Sequence, residues 1–432
     1  MHSLAETREA ADMMYLHGSR CAIGPRDSFP CSLEIHRGTI TALRHPIDGA
    51  FSSIPESIDV DLSGYLLMPG LINAHDHLQY ALHPRLGHPP YQNYMQWGED
   101  IHATCTEQIA RYKSVPRNVR LWWGGIRNLL CGVTTVCHHD QLWPELSKPD
   151  FPVNVVQSYG WAHSLAWGGD LRGASANRPK GSAFLIHACE GIDDLAREEL
   201  FALDRLGLLH EFATLIHGLA IDYKGAVLLR KRKASLVICP SSNHFLFATL
   251  PNMNLLSAIE NVSLGNDSPL TAAGDLLDEA RFAMEFCHLP PDQVYRMVTE
   301  SPAKLLRLQD KEGTIQVSGA ADLIAVFDDG RNAADRLSTL SVEDVELVMV
   351  RGQIQLASET VWKRLPPQVK SGLVPLRIGE QIRWLRVPVQ ELLCEAEAVL
   401  GVGKVRLGGR SIGGVDATVD ANMQWDSHRV GA

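Results

Sequence analysis

The sequence predicts an α/β fold built around a TIM-type (β/α)8 barrel, and three observations support this. Residues 66–310 alternate short apolar runs with amphipathic helical stretches, the pattern of βα units around a parallel sheet. Short alternating segments broken by Gly, Pro and Asp flank this region on both sides. With 432 residues, of which 45% are hydrophobic, the chain is long enough for one large barrel and a smaller domain.

Apolar runs in the middle region are candidate barrel strands. They are YLLMPGLINA (65–74), GVTTVCHH (132–139), VNVVQSYGW (153–161), AFLIHA (183–188), ATLIHGLA (213–220), ASLVICP (234–240) and VSLGND (262–267). These runs are one fewer than the eight strands of a closed barrel. The gap falls between residues 161 and 183, where GGDLRGASANRPKG is typical of a loop. We therefore expect either a weak fourth strand there or a barrel that is degenerate at that point.

The flanking segments predict a second domain. Residues 1–65 and 311–360 are expected to form one small β-sandwich together, on either side of the barrel at 66–310. Residues 361–432 are expected to contribute a C-terminal helix over VPVQELLCEAEAVLG (387–401), followed by a mobile tail. The two ends of the chain would then enclose its centre.

Composition excludes several classes of protein. The formal net charge of −10 argues against a surface for nucleic acid, and the basic run LLRKRK (228–233) is interpreted as a solvated helix face. The N-terminal segment has no apolar signal core, and no run of eighteen apolar residues occurs, so we expect a cytoplasmic protein without a membrane span. Nine cysteines without CxxC spacing fit reduced thiols; those expected in the core are Cys131, Cys137, Cys189 and Cys239.

Several candidate strands end in a residue that can bind a metal or move a proton. The first delivers His75 and His77, which alternate around Asp76 and so project to one side of an extended backbone. Later strands deliver His187, followed by Glu190, then His217 and Asp267. If the strands are parallel, these side chains converge at one mouth of the barrel.

This set suits a divalent metal with an open coordination position. Three neutral imidazoles and a carboxylate can hold Zn²⁺ or a similar ion, and a water in the open position has its pKa lowered towards about 7. A carboxylate and a histidine that are not needed as ligands can then act as acid and base. One histidine at a strand end is more often a hydrogen-bonded core residue, but four such elements at successive strand ends favour a metal site.

The motifs PGLINAHDHL, HACEG, IHG, CPSSN and GNDSPLTAAGDLLDE, in that order, resemble the metal-dependent amidohydrolase superfamily. Within it they are most similar to the branch of cytosine, guanine and S-adenosylhomocysteine-type deaminases and s-triazine hydrolases. The resemblance implies one Zn²⁺ or Fe²⁺ ion, bound by His75, His77, His187 and Asp267. It further implies that Glu190 carries a proton to a ring nitrogen of the substrate and that His217 orients the attacking water, whose proton Asp267 accepts.

Residues near these motifs have other expected roles. Binuclear relatives use a bridging lysine on the fourth strand, but Lys180 is interpreted as a surface residue, which favours a single metal ion. Asp193 and Asp194 are expected to stabilise a helix N-terminus. Substrate contacts are expected from QYALHPRLGHPPYQNYMQW (79–97) and WAHSLAW (161–167). The named candidates are Arg85, Trp97, His163 and Asn243, with His138 and His139 as further candidates at the mouth.

The sequence thus predicts a hydrolytic deaminase of an amino-substituted heterocycle. The stretch SPLTAAGDLLDE departs from the nucleoside-deaminase pattern, which leaves a smaller heterocycle, an amide or a lactam open. One alternative is hydrolysis of an amide or a chloro-substituted heterocycle at the same metal, and another is a non-catalytic scaffold of this fold. We expect a small-molecule substrate, no nucleic acid and no organic cofactor. A homo-oligomer is also compatible with the sequence.

Overall fold

The structure is a computed structural model that describes residues 13–45, 57–272 and 274–415. Five strands precede the predicted barrel: β1 (Met13–Ala22), β2 (Ser28–His36), β3 (Thr39–Arg44), β4 (Ile58–Asp61) and β5 (Tyr65–Pro69). Eight follow: β6 (Leu71–Asp76), β7 (Val133–His138), β8 (Asn154–Val155), β9 (Tyr159–Ser164), β10 (Ala183–Ala188), β11 (Ala213–His217), β12 (Ser235–Ile238) and β13 (Val262–Leu264). The last group is β14 (Leu323–Phe327), β15 (Val345–Val350), β16 (Gln353–Ser358), β17 (Val374–Ile378), β18 (Gln381–Leu385), β19 (Arg406–Leu407) and β20 (Arg410–Gly413).

Helices connect these strands. They are α1 (Tyr94–Thr104), α2 (Thr106–Lys113), α3 (Arg117–Leu130), α4 (Leu171–Ala176), α5 (Asp194–Arg205), α6 (Tyr223–Arg232), α7 (Pro240–Phe247), α8 (Met253–Leu256), α9 (Leu276–Phe286), α10 (Pro291–Met297), α11 (Glu300–Leu305), α12 (Ala333–Leu337), α13 (Glu359–Arg364), α14 (Pro367–Lys370) and α15 (Val389–Leu400). Short 3₁₀ turns cover Leu78–Tyr80, Pro144–Ser147 and Val342–Asp344. No helix in the described ranges is long and apolar enough to cross a membrane.

The flanking segments pair with each other, although they are separated by more than two hundred residues. Strands β1–β5 and β14–β20 form one twelve-stranded sheet, in which β14 joins the two groups by pairing antiparallel with β5. A division of this sheet into two packed layers stays a prediction. The C-terminal region adds strands β17–β20, which the sequence analysis did not predict because they are short and lie among polar and glycine-rich residues. Residues 416–432 of the expected tail lie outside the described residues.

The middle of the chain contains eight parallel strands in two sheets. Strands β6–β7–β8 form the smaller sheet, and β13–β12–β11–β10–β9 form the larger one. The run VNVVQSYGW is two strands, β8 and the start of β9, so the expected gap between residues 161 and 183 was wrong. The break contains the exposed polar residues Gln157 and Ser158, but apolar residues lie on both sides of it, so the two short strands were predicted as one. The fourth strand of the set is therefore β9.

Most of the smaller predictions on packing are confirmed. The four cysteines named from apolar runs are buried, and none of the nine forms a disulfide. Lys180 is exposed, and so are the basic side chains of the run 228–233 at the end of α6. Asp193 caps α5 by accepting a hydrogen bond from the Ala196 backbone N–H. These residues support the fold and do not enter the site described below.

A buried ion pair explains the aspartate that separates the two histidines of β6. The Asp76 carboxylate is fully buried and accepts hydrogen bonds from Arg127 Nη2 at 2.6 Å and Asn128 Nδ2 at 2.7 Å, both from α3. Arg127 Nη2 also donates to the Asp267 carbonyl at 3.2 Å. The pair therefore ties the first parallel strand to α3 and to the segment after the last parallel strand, beneath the histidines.

Removal of this carboxylate is expected to destabilise the fold strongly. Asp76→Ala leaves the Arg127 guanidinium buried without its counter-charge, which costs about 3–5 kcal/mol. The measurement is the free energy of unfolding from urea titration followed by circular dichroism. The control is Glu359→Ala, which breaks the exposed Glu359–Lys363 pair and should change stability by at most about 1 kcal/mol. Equal effects of the two substitutions would contradict a structural role for the buried pair.

Candidate metal centre

The histidines and carboxylates predicted from the strand ends meet at one point. His75 Nε2 lies 3.3 Å from His187 Nε2 and 3.5 Å from Asp267 Oδ1. His77 Nε2 lies 3.7 Å from the same carboxylate oxygen. Two overlapping groups have ligand atoms within 4.8 Å of one another: His75, His77 and His187, and His75, His217 and Asp267. The sequence-predicted ligand set is thus brought together within one cluster.

An irregularity in β6 aims the first histidine at this cluster. Ile72 and Ala74 of β6 pack in the same interior apolar cluster as Leu185 and Ile216. Strict alternation would then turn His75 away from the interior. The register between β6 and β7 shifts between Asn73 and Asp76, and such a bulge re-aims side chains. His75 and His77 therefore both face the cluster, while Asp76 faces α3.

Three residues at the strand ends have left-handed backbone conformations. The φ angles are 56° for Cys189, 75° for His217 and 55° for Asp267. Non-glycine residues seldom adopt these angles, and such strain is concentrated at functional sites. These residues lie at or shortly after the ends of β10, β11 and β13, next to or among the side chains that line the cluster: Glu190, His217 and Asp267.

Hydrogen bonds on the far side of the rings determine which nitrogen faces the cluster. His187 Nδ1 lies 2.7 Å from the His163 carbonyl, and His217 Nδ1 lies 3.1 Å from Asn243 Oδ1. Because these oxygens only accept, each Nδ1 carries the proton and each Nε2 keeps its lone pair. Burial lowers the pKa of His187 well below its usual value and that of His217 to about 4. Both imidazoles are therefore neutral at pH 7, the form in which a histidine nitrogen can bind a metal or accept a hydrogen bond.

Asp267 is held as a carboxylate. Its Oδ2 accepts hydrogen bonds from Ser242 Oγ at 2.8 Å and Thr271 Oγ1 at 3.0 Å, and its Oδ1 accepts from the Ser268 N–H. Burial opposes ionisation, but the neighbouring imidazoles of His75 and His217 hold the pKa of Asp267 well below its usual range. The two hydroxyls could not be predicted as partners of Asp267, because single Ser and Thr residues leave no distinctive pattern in a sequence.

Glu190 has the opposite electrostatic character. Its carboxyl lies 3.6 Å from His217 Nε2. Burial, with Asp267 and Glu199 nearby, raises the pKa of Glu190 well above its usual value. Glu199 holds Cys189, the residue before Glu190. One Glu199 oxygen accepts a hydrogen bond from the Cys189 N–H at 2.8 Å, and the other accepts one from Tyr94 Oη at 2.9 Å. Two carboxyl groups with separated pKa values in one site are the arrangement expected of an acid and a base.

The donor set fits one divalent metal ion. Neutral imidazole nitrogens and a carboxylate oxygen converge from four strand ends. Since the Nδ1 atoms of His187 and His217 donate to acceptors behind the rings, the Nε2 lone pairs of these two residues face inwards. Such a mixture of nitrogen and oxygen donors is suited to zinc and to other first-row transition metals. The fourth strand, β9, contains no lysine, which agrees with the expectation of a single ion.

A cavity of about 530 Å³ opens above the cluster. Its floor is formed by His77, His187, Glu190, His217 and Asp267. Aromatic and aliphatic side chains line the walls: Tyr80, Leu86, Tyr94, Trp97, Ile101, Ile109, Trp167 and Leu270. The Tyr94 and Trp167 rings meet edge to face, with centroids 5.0 Å apart. The cavity therefore suits a flat, largely apolar ligand that presents a polar edge to the floor.

The weaker substrate-contact candidates differ in their placement. Trp97 and His163 line the cavity, whereas Asn243 is buried behind His217 and acts on that ring. Arg85 packs over the Phe245 ring and lines a separate depression, so the structure does not bring it to the cavity. Its position in the loop after β6 could not reveal on which side of that loop it lies. Tyr94 and Trp167, which were not named individually, are in the two stretches expected to contact substrate.

One family model matches part of the chain. Residues 175–355 match the model of the Amidohydrolase family. This match supports the resemblance of the strand-end motifs to the metal-dependent amidohydrolase superfamily. The motifs at the strand ends predict the activity class of hydrolases acting on carbon–nitrogen bonds other than peptide bonds, and the match agrees with that prediction.

The similar curated proteins include 5-methylthioadenosine/S-adenosylhomocysteine deaminases. The protein from Pyrococcus furiosus is 33% identical over 29% of this chain, and the match spans about a third, 32%, of that relative's length. The protein from Thermococcus sibiricus is 24% identical over 68% of this chain and 82% of its own length. The stronger identity is thus confined to a segment, while the weaker one extends over most of both chains.

Solved structures with the same fold include two zinc-containing enzymes. An adenosine deaminase from Xanthomonas campestris has a TM-score of 0.64 at 18% identity, covering 89% of this chain and 97% of that chain. An atrazine chlorohydrolase from Arthrobacter aurescens has a TM-score of 0.68 at 16% identity, covering 89% and 99%. At these identities the likeness shows the fold alone.

A glycine controls how closely the last parallel strand approaches His75. A Cβ atom on Gly265 would lie 2.6 Å from His75 Cβ and 2.8 Å from its backbone nitrogen. Both distances are shorter than atoms tolerate, and neither contact is the flexible end of a side chain. The Asp267 N–H donates to the His75 carbonyl in the same region, at 3.2 Å. A side chain at position 265 would therefore separate two predicted ligands.

Gly265→Ala is expected to weaken metal binding by at least about tenfold. Displacing a ligand should lower the affinity at least as much as removing a hydrogen bond that supports a ligand. Competition with a chelator of known affinity measures the effect. The control is Gly413→Ala, where an added Cβ meets nothing within 4 Å. Unchanged affinity in the folded Gly265→Ala protein would show that this close approach does not support the ligands.

Proposed function

We propose that the protein is a metal-dependent hydrolytic deaminase of an amino-substituted heterocycle. The observation that supports this best is the position of Glu190 on the cavity floor, beside His217 and Asp267. A carboxyl group there is suited to protonating a ring nitrogen, while a base on the same floor handles the attacking water. Deamination of an aromatic heterocycle requires both proton transfers at adjacent atoms.

The proposed metal ligands are His75, His77, His187 and Asp267. A divalent ion bound by them supplies Lewis acidity, which lowers the pKa of water and polarises the reacting carbon. Zinc is our preferred ion over iron, because the similar adenosine deaminase and chlorohydrolase structures contain zinc. The remaining chemistry falls to side chains of this chain.

Three side chains carry the proposed proton transfers. His217 Nε2 accepts a hydrogen bond from the attacking water and orients it, because its Nδ1 is held by Asn243. Asp267 accepts a proton as the water oxygen bonds to the sp² carbon, and Glu190 gives its proton to the adjacent ring nitrogen. Asp267 then passes its proton to the amino group, the carbon–nitrogen bond breaks, and ammonia leaves. Glu190 is then reprotonated, either by the ring-nitrogen proton, which leaves a hydroxyl group on the product, or by the second hydrogen of the water, which leaves a carbonyl group beside a protonated ring nitrogen.

The cavity walls support a flat substrate. Trp97, Trp167 and Tyr94 offer aromatic surfaces above a polar floor. The deaminase names of the similar proteins from Pyrococcus and Thermococcus support purine nucleosides as candidates, whereas the stretch SPLTAAGDLLDE favours a smaller ring. We therefore expect the substrate to be a small molecule from one of these two groups.

A second candidate is hydrolysis of a chloro-substituted heterocycle. It is favoured by the high coverage of the atrazine chlorohydrolase structure. The reaction would also use the same water-activating side chains. Water attacks the same type of carbon, and chloride replaces ammonia as the leaving group. A panel of aminopyrimidines, purines, purine nucleosides, pterins, aminotriazines and chlorotriazines, assayed for ammonia and chloride, separates the two reactions. Metal-loaded protein that releases neither product would move the proposal to amide hydrolysis.

Glu190→Gln is expected to retain the metal and to lower kcat by about 10²–10⁴-fold, the usual contribution of a positioned acid or base. Glutamine keeps the shape of the side chain but has no acidic proton to give. Metal content by plasma emission and ammonia release are measured on the same samples. The control is Glu198→Gln, which removes an exposed carboxylate from α5. An active Glu190→Gln enzyme would refute the proposed proton transfer.

A further inference from the structure

His139 lies at the end of β7, directly behind one of the proposed metal ligands. Its ring is 2% exposed, and its Nδ1 lies 3.3 Å from His75 Nδ1. Its other nitrogen, Nε2, lies 2.9 Å from the carbonyl oxygen of Ala162 in β9. The ring stacks on His187, with centroids 4.2 Å apart and planes 8° from parallel. His139 therefore touches two proposed ligands but does not belong to either group of ligand atoms.

The two contacts of His139 allow only one arrangement of protons. A carbonyl oxygen can only accept, so His139 Nε2 carries a hydrogen and donates it to Ala162. In a neutral ring the other nitrogen, Nδ1, then has a free lone pair. His139 Nδ1 can accept a hydrogen bond from His75 only if His75 Nδ1 carries the proton. His75 Nε2 is then unprotonated, and this atom faces His187 and Asp267.

We propose that His139 is a positioning residue that fixes the tautomer in which His75 binds the metal. Because His139 donates to the Ala162 carbonyl through Nε2, its Nδ1 accepts a hydrogen bond from His75 Nδ1. This inference rests on the metal site of the proposed function. His187 has a backbone acceptor of its own, the next carbonyl of the same strand, at His163. Strand β9 thus sets the tautomers of two ligands, one directly and one through an intervening imidazole.

The geometry explains why an imidazole occupies this position. The position between His75 and the Ala162 carbonyl needs a group that accepts a hydrogen bond on one side and donates one on the other, within the width of one parallel strand. A neutral histidine provides both functions in a rigid plane. The neighbouring His138 has a different task, because its Nδ1 accepts a hydrogen bond from the Leu78 N–H at 3.3 Å. The two adjacent histidines therefore differ in role, and only His139 acts on a proposed ligand.

Two substitutions separate positioning from packing. His139→Phe keeps a flat ring against His187 but offers no acceptor, whereas His139→Asn offers Oδ1 at the place of Nδ1. We expect His139→Phe to weaken zinc binding about 10–100-fold, the usual effect of losing an outer hydrogen bond to a ligand. His139→Asn should recover most of this loss. The control is His138→Asn, which leaves His75 untouched and should bind zinc like the unaltered protein.

The readouts do not depend on turnover. Zinc affinity is measured by chelator competition on samples whose fold is checked by circular dichroism, and the His75 tautomer is read from ¹⁵N shifts of the unaltered protein labelled at histidine. A proton on His75 Nδ1, with the affinities ordered as expected, supports the proposal. A proton on His75 Nε2, or equal affinities of His139→Phe and the unaltered protein, overturns it. If the unaltered protein binds no zinc, the proposed function fails instead; if it binds zinc without turnover, the positioning test still holds.

Discussion

The site depends on one buried ion pair. Asp76 stands between two histidines in the sequence, and the bulge in β6 turns it away from them towards Arg127. A charge pair without access to water must keep both partners, so the first parallel strand cannot slide or rotate relative to α3. Since Arg127 also binds the Asp267 carbonyl, the strand that carries two histidines and the segment that carries the aspartate share one anchor.

The acceptors behind the rings give the cluster its chemical character. A histidine binds metal through a nitrogen only when its proton resides on the other one, and each ring therefore requires an acceptor at a defined place. Asn243 and the His163 carbonyl meet this need for His217 and His187. Asp267 is held as an anion by hydroxyl groups, whereas burial favours the neutral form of Glu190. The same buried site thus contains neutral histidines, the Asp267 carboxylate and a Glu190 carboxyl group whose neutral form is favoured.

Much of the fold and site could be predicted from local patterns. The histidines at 75, 77, 187 and 217 follow apolar runs, and parallel strands bring their ends together, so the cluster was predictable without any contact information. The fourth strand was not, because β8 is only two residues long and the polar pair Gln157 and Ser158 that separates it from β9 can equally belong to a single strand with alternating faces. The misplacement of Arg85 has a similar origin, since a loop sequence does not state which of its sides faces a cavity.

The sequence by itself predicted the family resemblance, the class of chemistry and the identity of the candidate ligands, because these depend on residue types at strand ends. Only the tertiary structure decided which nitrogen of each ring faces inwards and which carboxyl group is protonated. These properties arise from burial and from partners distant in the chain, such as Asn243 behind His217. The roles of His139 and Gly265 belong to the same category, because each acts on His75 through a contact between separate strands.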